Sequence, residues 1–206
     1  MSFELTFASD AVQVLEDSVA FKGYFSMRRL VLRHRLFGGG WSEPLTREVF
    51  ERGDAVGVLP YEPETDSVIL IEQFRPGALR DPATPWMLEL IAGVVEEGES
   101  DAEVAHREAA EEAACELVEL LPIASYYPSA GACSEHVRLF CGRVSSAGVG
   151  GVHGAPGEDE DILVHRVPRS EALALLARDR IPNGHTLIAL QWLQLQGDTL
   201  RQRWSR

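Results

Sequence analysis

The segment Gly93-Val94-Val95-Glu96-Glu97-Gly98-Glu99-Ser100-Asp101-Ala102-Glu103-Val104-Ala105-His106-Arg107-Glu108-Ala109-Ala110-Glu111-Glu112-Ala113-Ala114-Cys115 carries the most information in this chain. Ser100 followed by Glu103 three residues on is a capping box, which predicts a helix from Ser100 to Ala114 with alanines at its apolar positions. On that helix Glu108, Glu111 and Glu112 stand at i, i+3 and i+4, so their carboxylates share one face. Two carboxylates ~6 Å apart repel by roughly 3 kcal/mol at an effective dielectric of ~20. A bound divalent cation reverses that sign, because carboxylates and carbonyls are the hard oxygen ligands that magnesium selects. A solvated, alanine-rich surface helix has the same composition, so the helix by itself leaves both readings open.

Outward from the helix the chain reads as strands. On the N-terminal side, Met87 to Val95 is apolar enough for a buried strand, preceded by a proline-rich loop over Pro76 to Pro85. Gly53 to Leu59 and Ser67 to Gln73 are strands joined through the turn signal Pro63-Glu64-Thr65-Asp66. Residues 11–52 are strand-rich, with Phe25 to Leu36 ending at Gly38-Gly39-Gly40, and predict a separate small sheet. On the C-terminal side strands are predicted at Ile123–Tyr127, Val137–Val144 and Ile162–Val167. The glycine-rich stretch from Ser145 to Gly157 between them predicts a mobile loop. Two helices close the chain, one from about Ser170 and one over Thr186 to Gln196 with Gly197 as its stop. Mixed strands with a few helices suit an α+β sandwich.

Composition narrows the classes. The chain has 206 residues, 45% hydrophobic, enough for a sizeable core. No apolar run reaches the ~18 residues that span a bilayer, so no membrane partner is expected. The opening residues Met1-Ser2-Phe3-Glu4-Leu5-Thr6-Phe7 lack the pattern of a signal peptide, and a cytoplasmic location is the default. Cys115, Cys133 and Cys141 show no paired spacing, which suits free thiols in a reducing compartment. The net charge of −13 repels phosphate backbones and argues against nucleic acid as a partner. An anionic small molecule would therefore need local arginines or metal ions.

The spacing of the acidic segment resolves the ambiguity of its helix. A glycine, five residues, a glutamate, seven residues, Arg-Glu, an apolar residue, any residue and Glu-Glu match the box of the Nudix hydrolases. Six fixed positions, each at about 7% abundance, coincide by chance in roughly one window in ten million. The chain resembles that family, whose fold is an α/β/α sandwich of the α+β class. The resemblance implies Glu108 and Glu112 as direct metal ligands, Glu111 close by, and the Ala92 carbonyl as a further ligand. It implies structural roles for Gly93, Glu99 and Arg107, the last orienting the glutamates. One departure stands at the end of the box, where Ala114 and Cys115 replace glycine and an aliphatic residue. Ala114 predicts either a left-handed exit, at a cost on the order of 1 kcal/mol, or a different exit from the helix.

From about Gly23 to Trp204 the chain is similar to the bacterial ADP-ribose pyrophosphatase branch of that family. The stretches that carry the likeness are Gly23–Ser26, Arg47–Gly53, Ile71–Arg75, Thr84–Trp86, Ser129–Glu135, Glu158–Ile162 and Ile188–Leu193. The likeness implies a homodimer with a swapped N-terminal region (1–52, for dimerisation and substrate recognition) and a Nudix hydrolase domain over 53–206. Tyr24 or Phe25 would stack on adenine, Arg47 and Glu48 would lie near the same end, and Arg52 and Arg75 would meet the phosphates. Val94 would touch substrate through its backbone, and Ser129, Ala130, Gly131 and Glu135 would approach the terminal ribose. Glu158 would act as general base and Glu160 as an additional ligand to two or three Mg2+ ions, for which Mn2+ could substitute. Ala130 stands where the branch usually has proline, which keeps other nucleoside diphosphate sugars open as substrates. An ADP-ribose sensor without activity is disfavoured by the intact glutamates.

Overall fold

The computed structural model describes residues 4–145, 149–154 and 160–205. The chain forms two compact units, one running from the N-terminal segment to Gly53 and joined by Tyr127–Glu135, the other made of Asp54–Tyr126 and the chain from His136 onward.

The first unit is a three-stranded antiparallel meander of β1 (Val12–Lys22), β2 (Ser26–His34) and β3 (Leu45–Glu51). Cross-strand ion pairs fix the β1–β2 register, with Arg28 2.6 Å from Asp17 and Arg29 3.2 Å from Glu16. Trp41, just before β3, lies under the guanidinium of Arg35 at 4.4 Å. The segment 127–135 is fastened to the end of β3. The Phe50 N–H donates to the Ala132 carbonyl at 2.7 Å, the Ser134 N–H donates to the Phe50 carbonyl at 3.1 Å, and the Ser134 hydroxyl donates to Glu51 at 2.7 Å.

The second unit is built on β4 (Ala55–Glu62), β5 (Ser67–Phe74), β6 (Trp86–Glu89), β7 (Ile91–Val94), α1 (Asp101–Ala113), β8 (Leu117–Tyr126), β9 (Val137–Val144), β10 (Gly151–His153), β11 (Ile162–Pro168), α2 (Arg169–Ala177) and α3 (Gly184–Trp204). Its sheet runs β10-β11-β5-β4-β9-β8, and β4 and β9 are parallel. Alternation along β4 sorts the two faces. Leu59 and Tyr61 pack with Ala172 of α2 and Leu190, Leu193 and Trp204 of α3, whereas Val56 and Val58 pack with Val104, Ala105 and Ala109 of α1. The sheet is thus covered on both faces, the expected α+β sandwich, with the expected small antiparallel sheet at the N-terminus.

Three boundaries correct the sequence reading. Met87–Val95 is not one strand. β4 and β5 pair only at Tyr61↔Val68 and Glu62↔Ser67, then separate, and the gap is filled by β6 on β5 and β7 on β4. Leu90 is the joint, where the backbone N–H leaves the ladder and donates to the Thr186 hydroxyl at 2.8 Å. The strand at Ile123–Tyr127 starts earlier, at Leu117, directly after the α1 exit. Gly197 does not stop the last helix, which runs on to Trp204; a Cβ at Gly197 would stand 2.5 Å from Nη1 of Arg169, so glycine serves a close crossing there. Of the glycine-rich stretch predicted to be mobile, residues 146–148 and 155–157 lie outside the described residues, and Gly151–His153 is the strand β10 paired with β11. Among the described residues no helix is long and apolar enough to cross a membrane.

Candidate active site

The site is assembled by α1 and by the strand end that it packs against. At the start of α1 the capping box forms as predicted: the Glu103 N–H donates to the Ser100 hydroxyl at 3.3 Å and the Ser100 N–H donates to the Glu103 carboxylate at 2.8 Å. Such caps contribute about 1 kcal/mol. At its end Ala114 takes the left-handed conformation, φ 49° and ψ 35°, and the Cys115 N–H reaches back to the Ala109 carbonyl at 2.8 Å. The helix therefore keeps the glycine-type exit, with a Cβ at the left-handed position.

Two glutamates of α1 turn inward. Glu112 is 3% exposed and accepts the Ala92 N–H of β7 at 3.2 Å. Burial pushes its carboxyl up to about 8; Glu108 and Glu160 add to the rise, while the Ala92 N–H and Arg75 oppose it. Glu108 is also raised by burial, even though Arg107 stands 2.5 Å from it and pulls the other way. Gly93 is explained by Glu108. A Cβ at Gly93 would come within 1.6 Å of the Glu108 carboxylate, so any side chain there would displace it. Glu111 points outward, 44% exposed, and meets Arg107 at 3.4 Å.

Arg107 ties these parts together. It donates through Nε and Nη2 to Glu99 at 3.0 and 3.1 Å, through Nη2 to the Val94 carbonyl at 3.3 Å, and through Nη1 to Glu108. Glu99 is held below the usual carboxylate range by Arg107 and by the Glu96 N–H. Arg75, at the end of β5, carries a charge felt by both Glu112 and Glu160. Glu160 lies against Gly154, where a Cβ would stand 2.6 Å from the Glu160 carbonyl oxygen. Glu158, the base expected from the sequence, lies outside the described residues.

The remaining predicted residues gather in the first unit. Tyr24 is 96% exposed and meets Phe25 edge-on at 4.8 Å; Phe25 in turn contacts Phe50 at 5.2 Å and lies under Arg52 at 5.8 Å. Arg52 pairs with the buried Glu135 at 3.2 Å, and both Arg52 Nε and Glu135 Oε1 are buried with no hydrogen-bond partner. Ser129, Ala130 and Gly131 form the turn closed by the Cys133 N–H on the Ser129 carbonyl at 2.9 Å. Arg47 and Glu48 are exposed on β3, with Arg47 donating to the Thr46 carbonyl at 2.8 Å.

Four residues escaped the sequence reading. Phe50 completes the aromatic group. Buried Glu89 and Thr186 and half-buried Asn183 form a polar chain behind Arg75. Arg75 donates to Glu89 through Nε at 3.0 Å and Nη2 at 2.7 Å, Asn183 Nδ2 donates to Glu89 at 3.1 Å, and the Thr186 N–H and hydroxyl both donate to Asn183 Oδ1 at 3.0 Å. A lone acid in the apolar run Trp86–Val94 and the cap pattern Asn183-x-x-Thr186 were the available signals.

The donor set suits a divalent cation. Glu108, Glu112 and Glu160 are oxygen donors; Glu160 raises the proton affinity of Glu108, both raise that of Glu112, and a cation relieves that repulsion as a proton does. Among the described residues no three such groups already stand as a closed cage, which is consistent with Glu108 being drawn onto Arg107.

Sheet, flanking helices and inward glutamates define an α+β domain organised around an acidic loop–helix. A family model described as NUDIX domain matches residues 51–193, and the chain belongs to that family. Nudix hydrolases generally use divalent metal ions. The chain is 41% identical over 201 residues to the ADP-ribose pyrophosphatase of Escherichia coli (strain K12), covering 98% of this chain and 96% of that protein. It is 42% identical over 203 residues to the ADP-ribose pyrophosphatase of Haemophilus influenzae, covering 97% and 94%. The GDP-mannose pyrophosphatase of Citrobacter koseri is 29% identical over 196 residues, covering 90% and 96%.

Proposed function

We propose that this protein hydrolyses ADP-ribose to AMP and ribose 5-phosphate with the help of Mg2+. The observation that carries the reading is the buried Glu112 and partly buried Glu108 set against Ala92 and Gly93, in a chain matched over nearly its whole length by ADP-ribose pyrophosphatases. Glu108, Glu112, Glu160 and the Ala92 carbonyl would hold the metal, with Glu111 at the margin. A divalent cation supplies charge neutralisation of the diphosphate and acidifies the attacking water. Arg107 holds Glu108 and Glu99 in register, and Gly93 leaves the room that Glu108 needs. Arg75 would bind the diphosphate through its planar fork, and Arg52 would contribute a second cation. Tyr24 and Phe25 would stack on adenine, with Arg47 and Glu48 beside them, while Ser129 to Gly131, Glu135 and the Val94 backbone would contact the rest of the substrate. Water attacks the adenosyl-side phosphorus, the bridging P–O bond breaks, ribose 5-phosphate leaves with the bridging oxygen, and Glu158 takes the proton.

The likeness to GDP-mannose pyrophosphatases, together with Ala130 in the turn of 129–133, favours another nucleoside diphosphate sugar as the second reading. A panel of such substrates, scored by kcat/KM with Mg2+, decides between them: ADP-ribose is expected to lead, and a guanosine or uridine sugar in first place would overturn the choice. In the same assay Glu158→Gln should lower kcat by ~10²–10⁴ with KM little moved, the range for a lost base. Glu160→Gln should instead recover partly at higher Mg2+. Rescue of Glu158→Gln by Mg2+ would exchange the two roles.

A further inference from the structure

Glu89 is a buried carboxylate, 3% exposed, that accepts hydrogen bonds from Gln73 at 3.4 Å, from Arg75 on two nitrogens, and from Asn183. A carboxylate is tolerated in such a place only when it is paired and hydrogen-bonded. Its partner Arg75 is different in kind, since 43% of its side chain is exposed. Glu89 therefore grips the Nε–Nη2 edge of the guanidinium of a half-exposed side chain. Without that grip Arg75 has a competing destination, because Glu112 and Glu160 attract it. An arginine that swung onto those carboxylates would occupy the place a metal needs and would turn its donors away from an incoming phosphate.

We propose that Glu89 is the positioning residue for Arg75, holding the guanidinium beside the acidic cluster with its Nη1 edge presented to the substrate diphosphate. Asn183 is the second support. Its Oδ1 caps α3 while its Nδ2 bonds Glu89, so the N-terminus of α3 braces the arginine through one side chain. This inference rests on the reading of the site as a nucleoside diphosphate hydrolase.

Glu89→Gln keeps the shape and one acceptor while removing the charge. It should raise KM for ADP-ribose roughly tenfold or more, with kcat changed less, at saturating Mg2+. The decisive measurement is the cycle with Arg75→Ala: once Arg75 is gone, Glu89→Gln should add nothing further to KM, and it should raise Tm by removing a buried unpaired charge. Asn183→Ser retains an N-cap for α3 but has no amide to offer Glu89, so it provides a milder variant that keeps the fold, with KM expected up about threefold. Equal KM penalties for Glu89→Gln with and without Arg75, or unchanged KM in Glu89→Gln and Asn183→Ser despite a fall in Tm, would make the chain a structural brace only and overturn the proposal. Absence of turnover by the wild-type protein on every nucleoside diphosphate sugar would instead sink the underlying functional reading.

Discussion

Ala114 and Glu112, two residues apart, carry opposite kinds of cost. Ala114 places a Cβ in left-handed backbone at the α1 exit, where glycine is unstrained. Ala114→Gly should stabilise the protein by about 1 kcal/mol, a Tm rise of roughly 2–4 °C for a chain of this size, with kcat/KM unchanged. A lower Tm would show that the strain is relieved elsewhere. Glu112 is costly because it is an acid in a buried place. Its folded-state pKa is raised to about 8, so between the ordinary carboxylate value and about 8 the folded chain holds a proton that the unfolded chain has released. The folded state binds more protons in that window, and stability falls as pH rises through it. In chelator, Tm should decline from pH 5 to 8; Glu112→Gln should flatten the decline and abolish turnover. An undiminished decline in that variant would assign the effect to other groups. The acidic spacing made both residues visible in the sequence, because a helix brings them together by local geometry alone. Glu89 was not visible as a site residue, since its partners lie on β5 and at the start of α3 and only the folded sheet joins them.

At the scale of elements the same division holds. The α1 start was legible because a capping box lies within four residues. The last helix was misjudged because the reason for Gly197 is Arg169 on another helix. Arg169 is fixed by Asp66 at 2.7 Å and by Asp198 at 2.7 Å, and Gly197 lets it pass. Two effects oppose each other in Gly197→Ala: alanine favours the helix by about 1 kcal/mol, and its Cβ collides with an arginine that cannot move freely. The collision should win, lowering Tm in the wild-type background. In an Arg169→Ala background the same substitution should raise Tm by the helix preference alone. A rise in both backgrounds would mean that the arginine yields at little cost. The split of Met87–Val95 was hidden for a related reason: apolar composition reports burial and is silent on the change of pairing partner at Leu90.

At the scale of the molecule, β1 leaves Val12, Val14, Leu15, Val19 and Phe21 between 46% and 67% exposed, a large apolar content for one edge strand. The proposed homodimer with exchanged N-terminal strands would cover it. Sedimentation at micromolar concentration should give a dimer, and Val14→Lys combined with Val19→Lys should give a monomer with weakened recognition of adenosine. A wild-type monomer with full activity would contradict the exchange.

The fastening of 127–135 to β3 also sets an order of synthesis. The strands β1–β3 of the first unit leave the ribosome before α1 and β8, yet the unit's last piece emerges only after α1 and β8 have been made. Until then β3 has no partner for its Phe50 amide and carbonyl, and the meander waits with an unfinished end. The nascent chain should therefore resist protease at β1–β3 only once Glu135 has cleared the exit tunnel, although those strands were completed long before.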